Sequence, residues 1–171
     1  MNQSPKQYAV AIVFAIMTIL IGCTEKSGVD AAVEKNKSLL QRYFVEMNKG
    51  NESYLDEYFA AEYIYHGPAG ELDLEGFKAM HSMFLSAFPD SRSNIEDMIA
   101  VGDKVATRWT ISGTHRGELQ GIAPTGKKVT ITGIIITRVE GGKVVEEWEA
   151  FDQLSLMQQL GVIPAPENIS Q

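Results

Sequence analysis

The sequence predicts an α+β fold in which a curved antiparallel sheet packs against N-terminal helices, and three patterns carry that expectation. Apolar residues in the first part of the chain recur at helical spacing, as in Val33, Leu39, Leu40, Phe44 and Met47. From about residue 92 the period changes to two, with glycine-bearing pairs between neighbouring runs at hairpin spacing. A short amphipathic run, Gln153 to Leu160, closes the chain's folded part. Helices followed by a meander of strands segregate into layers, and a strongly twisted sheet can then cup a pocket against the helices.

The elements follow in order. Residues 1–22 read as a leader: a polar start with Lys6, then an apolar run from Tyr8 to Ile21 that is too short to span a bilayer. The run ends in Leu20-Ile21-Gly22-Cys23, which resembles a bacterial lipobox, and Cys23 is the chain's one cysteine. Lipidation there would consume the thiol and remove disulfide chemistry. Residues 23–31 read as a tether, 32–162 as one domain and 163–171 as a tail. Thr24 after the cysteine, by resemblance to other lipoproteins, implies a cell-envelope location at the outer membrane, facing the periplasm.

Within the domain a helix is expected over about 30–48, stopped at Gly50, and a short one from Ser53 to Phe59. Glu62 to His66 reads as a strand ended by Gly67-Pro68. Asp73 is a fitting N-cap for a helix near 74–87, which carries Phe77, Met80, Met83 and Phe84 and stops before Pro89. Four strands are expected at about 92–101, 104–115, 127–139 and 143–151, the first and last pairs joined at Gly102-Asp103 and Gly141-Gly142. Between the middle two runs a loop with Gly117, Gly121, Pro124 and Gly126 is expected to cover one end of the sheet.

The charge narrows the partners. A formal net charge of −7, with dispersed lysines and arginines, argues against nucleic acid, because phosphate binding needs clustered cations. Loss of the leader removes a cation and no acid, which makes the remainder more acidic still. His66, His81 and His115 lack zinc-like spacing, so no metal is expected.

The segment KVVEEWEAFDQLSLMQQLG, from Lys143 to Gly161, is the richest in candidate chemistry. Strict alternation puts Val144, Glu146, Trp148, Ala150 and Asp152 on one face and Val145, Glu147, Glu149 and Phe151 on the other. Asp152 beside an indole is either a general acid/base in an apolar site or the N-cap of the helix that follows. Glu147 and Glu149 fall on the opposite face, where solvent, a subunit interface or Arg108 is the simpler reading. Glu146 lies too far along the strand from Asp152 for a glycosidase-like pair. Trp109 falls with Val105, Thr107, Ile111, Gly113 and His115, an inward set, and is either core or pocket wall; Arg108 points outward toward an ion pair. His115 reads as a structural hydrogen-bonder. His66, from the residue alone, is a surface histidine at a strand–turn junction. Met80, His81, Met83 and Phe84 form a stripe that is core, with one end able to reach a cavity.

The segments EYIYHGP, FPDSRSNIEDMIAVGDKVATRWTISGTHRGELQGIAPTGKKV and the Lys143–Gly161 stretch resemble the SnoaL-like polyketide cyclase family, also called ester cyclases, over nearly all of residues 33–162. That resemblance implies a nuclear-transport-factor-2-like cone, general acid/base chemistry without a cofactor, and a small hydrophobic carbonyl compound as substrate. It implies two catalytic residues, Asp152 as the acid/base and His66 at the pocket mouth, orienting a carbonyl or relaying a proton to Asp152. Trp109, Trp148, Phe84, Met80 and His81 would then contact substrate. It also implies a homodimer, for which Ile134 and Ile136 beside Thr130, Thr132 and Arg138 offer a mixed face. Two other readings stay open: a lipid-anchored module that binds an apolar ligand without transforming it, and an interaction domain acting through its exposed sheet face.

Overall fold

In a computed structural model of the chain, residues 28, 30–50 and 52–164 are described. The leader, Cys23 and most of the tether and tail lie outside the described residues. The order is α1 (residues 30–47), α2 (Tyr54–Tyr58), β1 (Phe59–Gly67), β2 (Gly70–Asp73), α3 (Leu74–Ala87), β3 (Arg92–Val101), β4 (Lys104–Thr114), β5 (Lys128–Glu140), β6 (Lys143–Phe151) and α4 (Gln153–Leu160). The expected elements are present within a few residues of their predicted ends. The short β2 was not anticipated, and β1 begins three residues earlier than its sequence pattern suggested.

The sheet is six-stranded and open, in the order β2-β1-β6-β5-β4-β3. All pairs are antiparallel except β1 with β6, which is the crossover that brings the first strand beside the last. α1, α3 and α4 lie over one face of this sheet and enclose the core, in which Leu40, Phe44, Leu55, Phe59, Tyr63, Phe77, Phe88 and Trp109 are buried. The other face carries exposed Ile134 and Ile136, together with an Arg108–Asp97 ion pair at 2.9 Å.

Capping explains where the helices start. Asp73 accepts the backbone N–H of Gly76 at 2.8 Å, and Asp152 accepts that of Ser155 at 2.9 Å, each satisfying an otherwise unpaired donor of a first turn. The loop 115–127 is tied down by backbone bonds from Arg116 and Gly117 to Ala87 at the end of α3. Gly117 is required there, because a Cβ would lie 2.3 Å from the Ser86 carbonyl oxygen. His115 is fully buried and its Nδ1 accepts the Thr125 N–H at 3.2 Å, the structural role its sequence context suggested. The loop thereby carries Leu119 and Gln120 over the concave side of the sheet.

β6 contains the one departure that changes the functional reading. Opposite β5, Thr137 pairs with Glu147 and Arg138 with Glu146, but Val139 pairs with Val144, so β6 holds one extra residue. This bulge reverses the alternation. Val144 points inward before it; Glu147, Glu149 and Phe151 point inward after it.

Candidate active site

Between the concave face and the helices lies a cavity of about 190 Å³. Its walls are apolar for the most part, with Met80, Phe84, Trp109, Ile111 and Phe151 prominent. Trp109 can lie across the sheet because its neighbour on β5 is Gly133, where a Cβ would fall 2.4 Å from the indole ring. Asn48 fixes one rim by exchanging two hydrogen bonds with the backbone of Ser93, at 2.8 and 2.7 Å. Leu156 and Met157 of α4 close the other side.

The carboxylate in this cavity is Glu149. It accepts a hydrogen bond from the Tyr65 hydroxyl at 2.6 Å, and the Trp109 indole also favours its charged form. Burial pushes it above the ordinary carboxylate range, against the pull of those two donors. Two residues before it on the same face, Glu147 is wholly buried, accepting from Tyr63 at 2.7 Å and from Thr137 at 2.8 Å. Burial pushes Glu147 up to about 7, with the charge of Glu149 adding to the rise. The pairs Tyr63–Glu147 and Tyr65–Glu149 form a ladder across the parallel junction of β1 and β6. No salt bridge to either glutamate is present among the described residues.

On the opposite wall His81 of α3 reaches the cavity. Its Nε2 lies 3.0 Å from the Tyr54 hydroxyl and its Nδ1 lies 3.5 Å from Glu52. Burial holds its pKa below the usual histidine value, with Glu52 opposing that shift. Both ring nitrogens thus lie beside partners, Tyr54 and Glu52, that do not line the cavity.

The sequence-predicted residues therefore divide into two groups. Trp109, Met80, His81 and Phe84 line the cavity. Asp152, His66 and Trp148 do not. The bulge at the start of β6 turns Trp148 and Glu146 to the outer face, so the alternation used to place them inward had the wrong parity. His66 stacks on Trp148 with ring centroids 5.4 Å apart, and its Nε2 lies 3.0 Å from Glu146. Arg138 donates to the same carboxylate at 2.9 Å. Asp152 is exposed, with its side chain committed to capping α4. The apolar setting expected for Asp152 belongs instead to Glu149. A signal for this was present in the sequence: Val144 and Phe151, both apolar, differ in parity along one strand, and a bulge is what reconciles them. Among the described residues no cluster of three His, Cys, Asp or Glu side chains is placed to hold a metal ion.

The sequence profile described as SnoaL-like polyketide cyclase matches residues 38–160. Among solved structures, AclR from Streptomyces galilaeus, a proposed hydroxylase, is similar at 26% identity and a TM-score of 0.75, over 80% of this chain and 87% of that one. IdmH from Streptomyces antibioticus, a proposed polyketide cyclase, is 29% identical with a TM-score of 0.66, over 74% of this chain and 98% of its own. A proposed polyketide cyclase from Acidithiobacillus ferrooxidans is 31% identical with a TM-score of 0.66, over 75% and 95%. No curated protein matches the chain.

Proposed function

This chain belongs to the SnoaL-like polyketide cyclase family, and from that premise we propose that it is a cofactor-free enzyme in which Glu149 performs general acid/base chemistry on a small hydrophobic carbonyl compound. The observation that carries the reading is a carboxylate on an apolar cavity wall, raised in pKa by burial and oriented by Tyr65 and Trp109. A base so placed takes a proton from carbon next to a carbonyl, leaving an enolate. The enolate carbon then attacks a second carbonyl, or is reprotonated elsewhere, and the proton held by Glu149 returns to the product. Ring closure follows from the first course and isomerisation from the second. Both use the same residue and need no metal or nucleophile.

The test is a comparison of two variants on a confirmed substrate. Glu149→Gln keeps the shape and removes the base, so turnover falls by roughly 10²–10⁴-fold. Asp152→Asn retains a capping acceptor and leaves turnover within about two-fold of the parent. The reverse ranking returns the role to Asp152.

A second reading is a lipid-anchored protein that binds such a compound without converting it, and the Leu20–Cys23 motif supports it. In either case the proposal includes acylation of Cys23, attachment to the cell envelope at the outer membrane facing the periplasm, and a homodimer through the outer sheet face bearing Ile134 and Ile136. Intact-mass measurement of membrane-extracted protein checks the anchor: the expected mass is that of a lipid-modified chain starting at Cys23, and an unmodified full-length chain overturns it. Sedimentation checks the dimer.

A further inference from the structure

We propose that Tyr43 is the cavity's hydrogen-bond donor to a carbonyl oxygen of the bound molecule, and that this molecule is an apolar ketone or aldehyde about one ring in size. The inference rests on the reading of Glu149 as the base only for the chemistry of the ligand; the vacant donor stands independently.

Tyr43 lies on α1, is 5% exposed, and lines the cavity. Edge contacts to Phe44 and Phe59, both with centroids at 5.4 Å, fix its ring. Three other buried tyrosines each commit the hydroxyl to a protein partner: Tyr54 to His81, Tyr63 to Glu147 and Tyr65 to Glu149. Tyr58 is also buried but does not line the cavity. The Tyr43 hydroxyl bonds to no group among the described residues, although it lies within electrostatic reach of Glu147, Glu149 and Tyr65. Its oxygen is not among the fully enclosed unpartnered atoms, which in the described residues are Thr107 Oγ1 and His115 Nε2, so the hydroxyl is open to the cavity, where a bound acceptor can reach it.

Its chemistry fits one kind of acceptor. Burial and the neighbouring carboxylates keep the phenol protonated across the accessible pH range, so it acts as a donor and not as a base. When Glu149 takes a proton from carbon, the electron pair moves to the carbonyl oxygen, and a fixed donor at that oxygen stabilises the charge that develops. The volume sets the size. A cavity of about 150 Å³ with apolar walls holds benzene, so about 190 Å³ suits one ring with a small substituent and excludes fused polycyclic skeletons from full burial.

The experiment uses acetophenone labelled with ¹³C at the carbonyl, titrated to millimolar concentration into the purified protein, Tyr43→Phe and Glu149→Gln. Tyr43→Phe keeps the packed ring, and circular dichroism confirms that it is folded. The parent should bind the ketone with its carbonyl resonance several ppm downfield of its position in Tyr43→Phe, and Tyr43→Phe should bind about ten-fold more weakly. Glu149→Gln should retain the Tyr43-dependent shift, so failure of Glu149 as the base would leave this result intact. Equal shift and affinity in the parent and Tyr43→Phe would overturn the assignment of the donor. No binding of acetophenone to the folded parent would overturn the ligand class.

Discussion

The two faces of β6 carry the same residue types in opposite electrostatic states. On the outer face Glu146 sits half-buried between His66 and Arg138, beside the stacked Trp148, and the His66 hydrogen bond, reinforced by Arg138, holds it below its usual pKa. On the inner face Glu147 and Glu149 have only tyrosine, threonine and indole donors, and burial raises both. Glu146 and Glu147 are adjacent in the chain. What separates a lowered carboxylate pKa from a raised one here is the direction of one Cβ and the presence of cationic partners across the strand. Carboxylates with hydrogen-bond donors but no counter-charge are the ones suited to exchange protons near neutral pH.

The largest effect that would break this contrast is loss of the inner base: the Glu149→Gln decrease of roughly 10²–10⁴-fold described above, measured as kcat on a confirmed substrate. Next comes Glu147→Gln, which acts on stability. Glu147 has a folded pKa near 7, raised above its unfolded value near 4.5, so its favourable contribution is complete below about pH 4.5 and is lost as pH rises toward 7. Glutamine has no proton to lose. The parent should therefore lose up to about 3 kcal/mol of stability between pH 4 and pH 8 that the variant does not lose, given about 1.4 kcal/mol per pH unit, and chemical denaturation at pH 4 and 8 checks this. Equal pH slopes in parent and variant would remove the inner face's special character.

A smaller effect is expected at Gly133→Ala, where the added Cβ meets the Trp109 ring and displaces a cavity wall. A loss of about 1–3 kcal/mol in urea denaturation, with blue-shifted or red-shifted indole fluorescence, is the expected signature. Asp152→Ala removes a helix cap and should cost about 1 kcal/mol in the same assay, without altering ligand binding in the cavity. The smallest effect belongs to the outer face: His66→Ala leaves Glu146 paired with Arg138 and should change stability by under about 1 kcal/mol, less at high salt.

The sequence made most of the architecture legible and misread the facing of β6, for a reason that lies outside local sequence. Hairpins at Gly102 and Gly141-Gly142, the cap at Asp73 and the inward set around Trp109 are short-range signals, and each is present as read. The orientation of β6 beyond Val145 depends on how it pairs with Arg138 and Val139, a non-local fact that strict alternation cannot supply. One extra residue reversed the faces of Glu147, Glu149, Trp148 and Asp152 together. Tyr63 and Tyr65 likewise gain meaning only once the parallel pairing sets them beside those glutamates. Asp152 kept the local role its position offered, that of a cap.

The most direct measurement is a side-chain carboxyl ¹³C NMR titration of the purified protein between pH 3 and 9, with glutamates assigned through Glu147→Gln and Glu149→Gln. The account predicts that Glu147 retains its proton to about pH 7 and that Glu149 titrates above the ordinary carboxylate range, while Glu146 titrates below it. Glu147 and Glu149 titrating at or below Glu146 would contradict it.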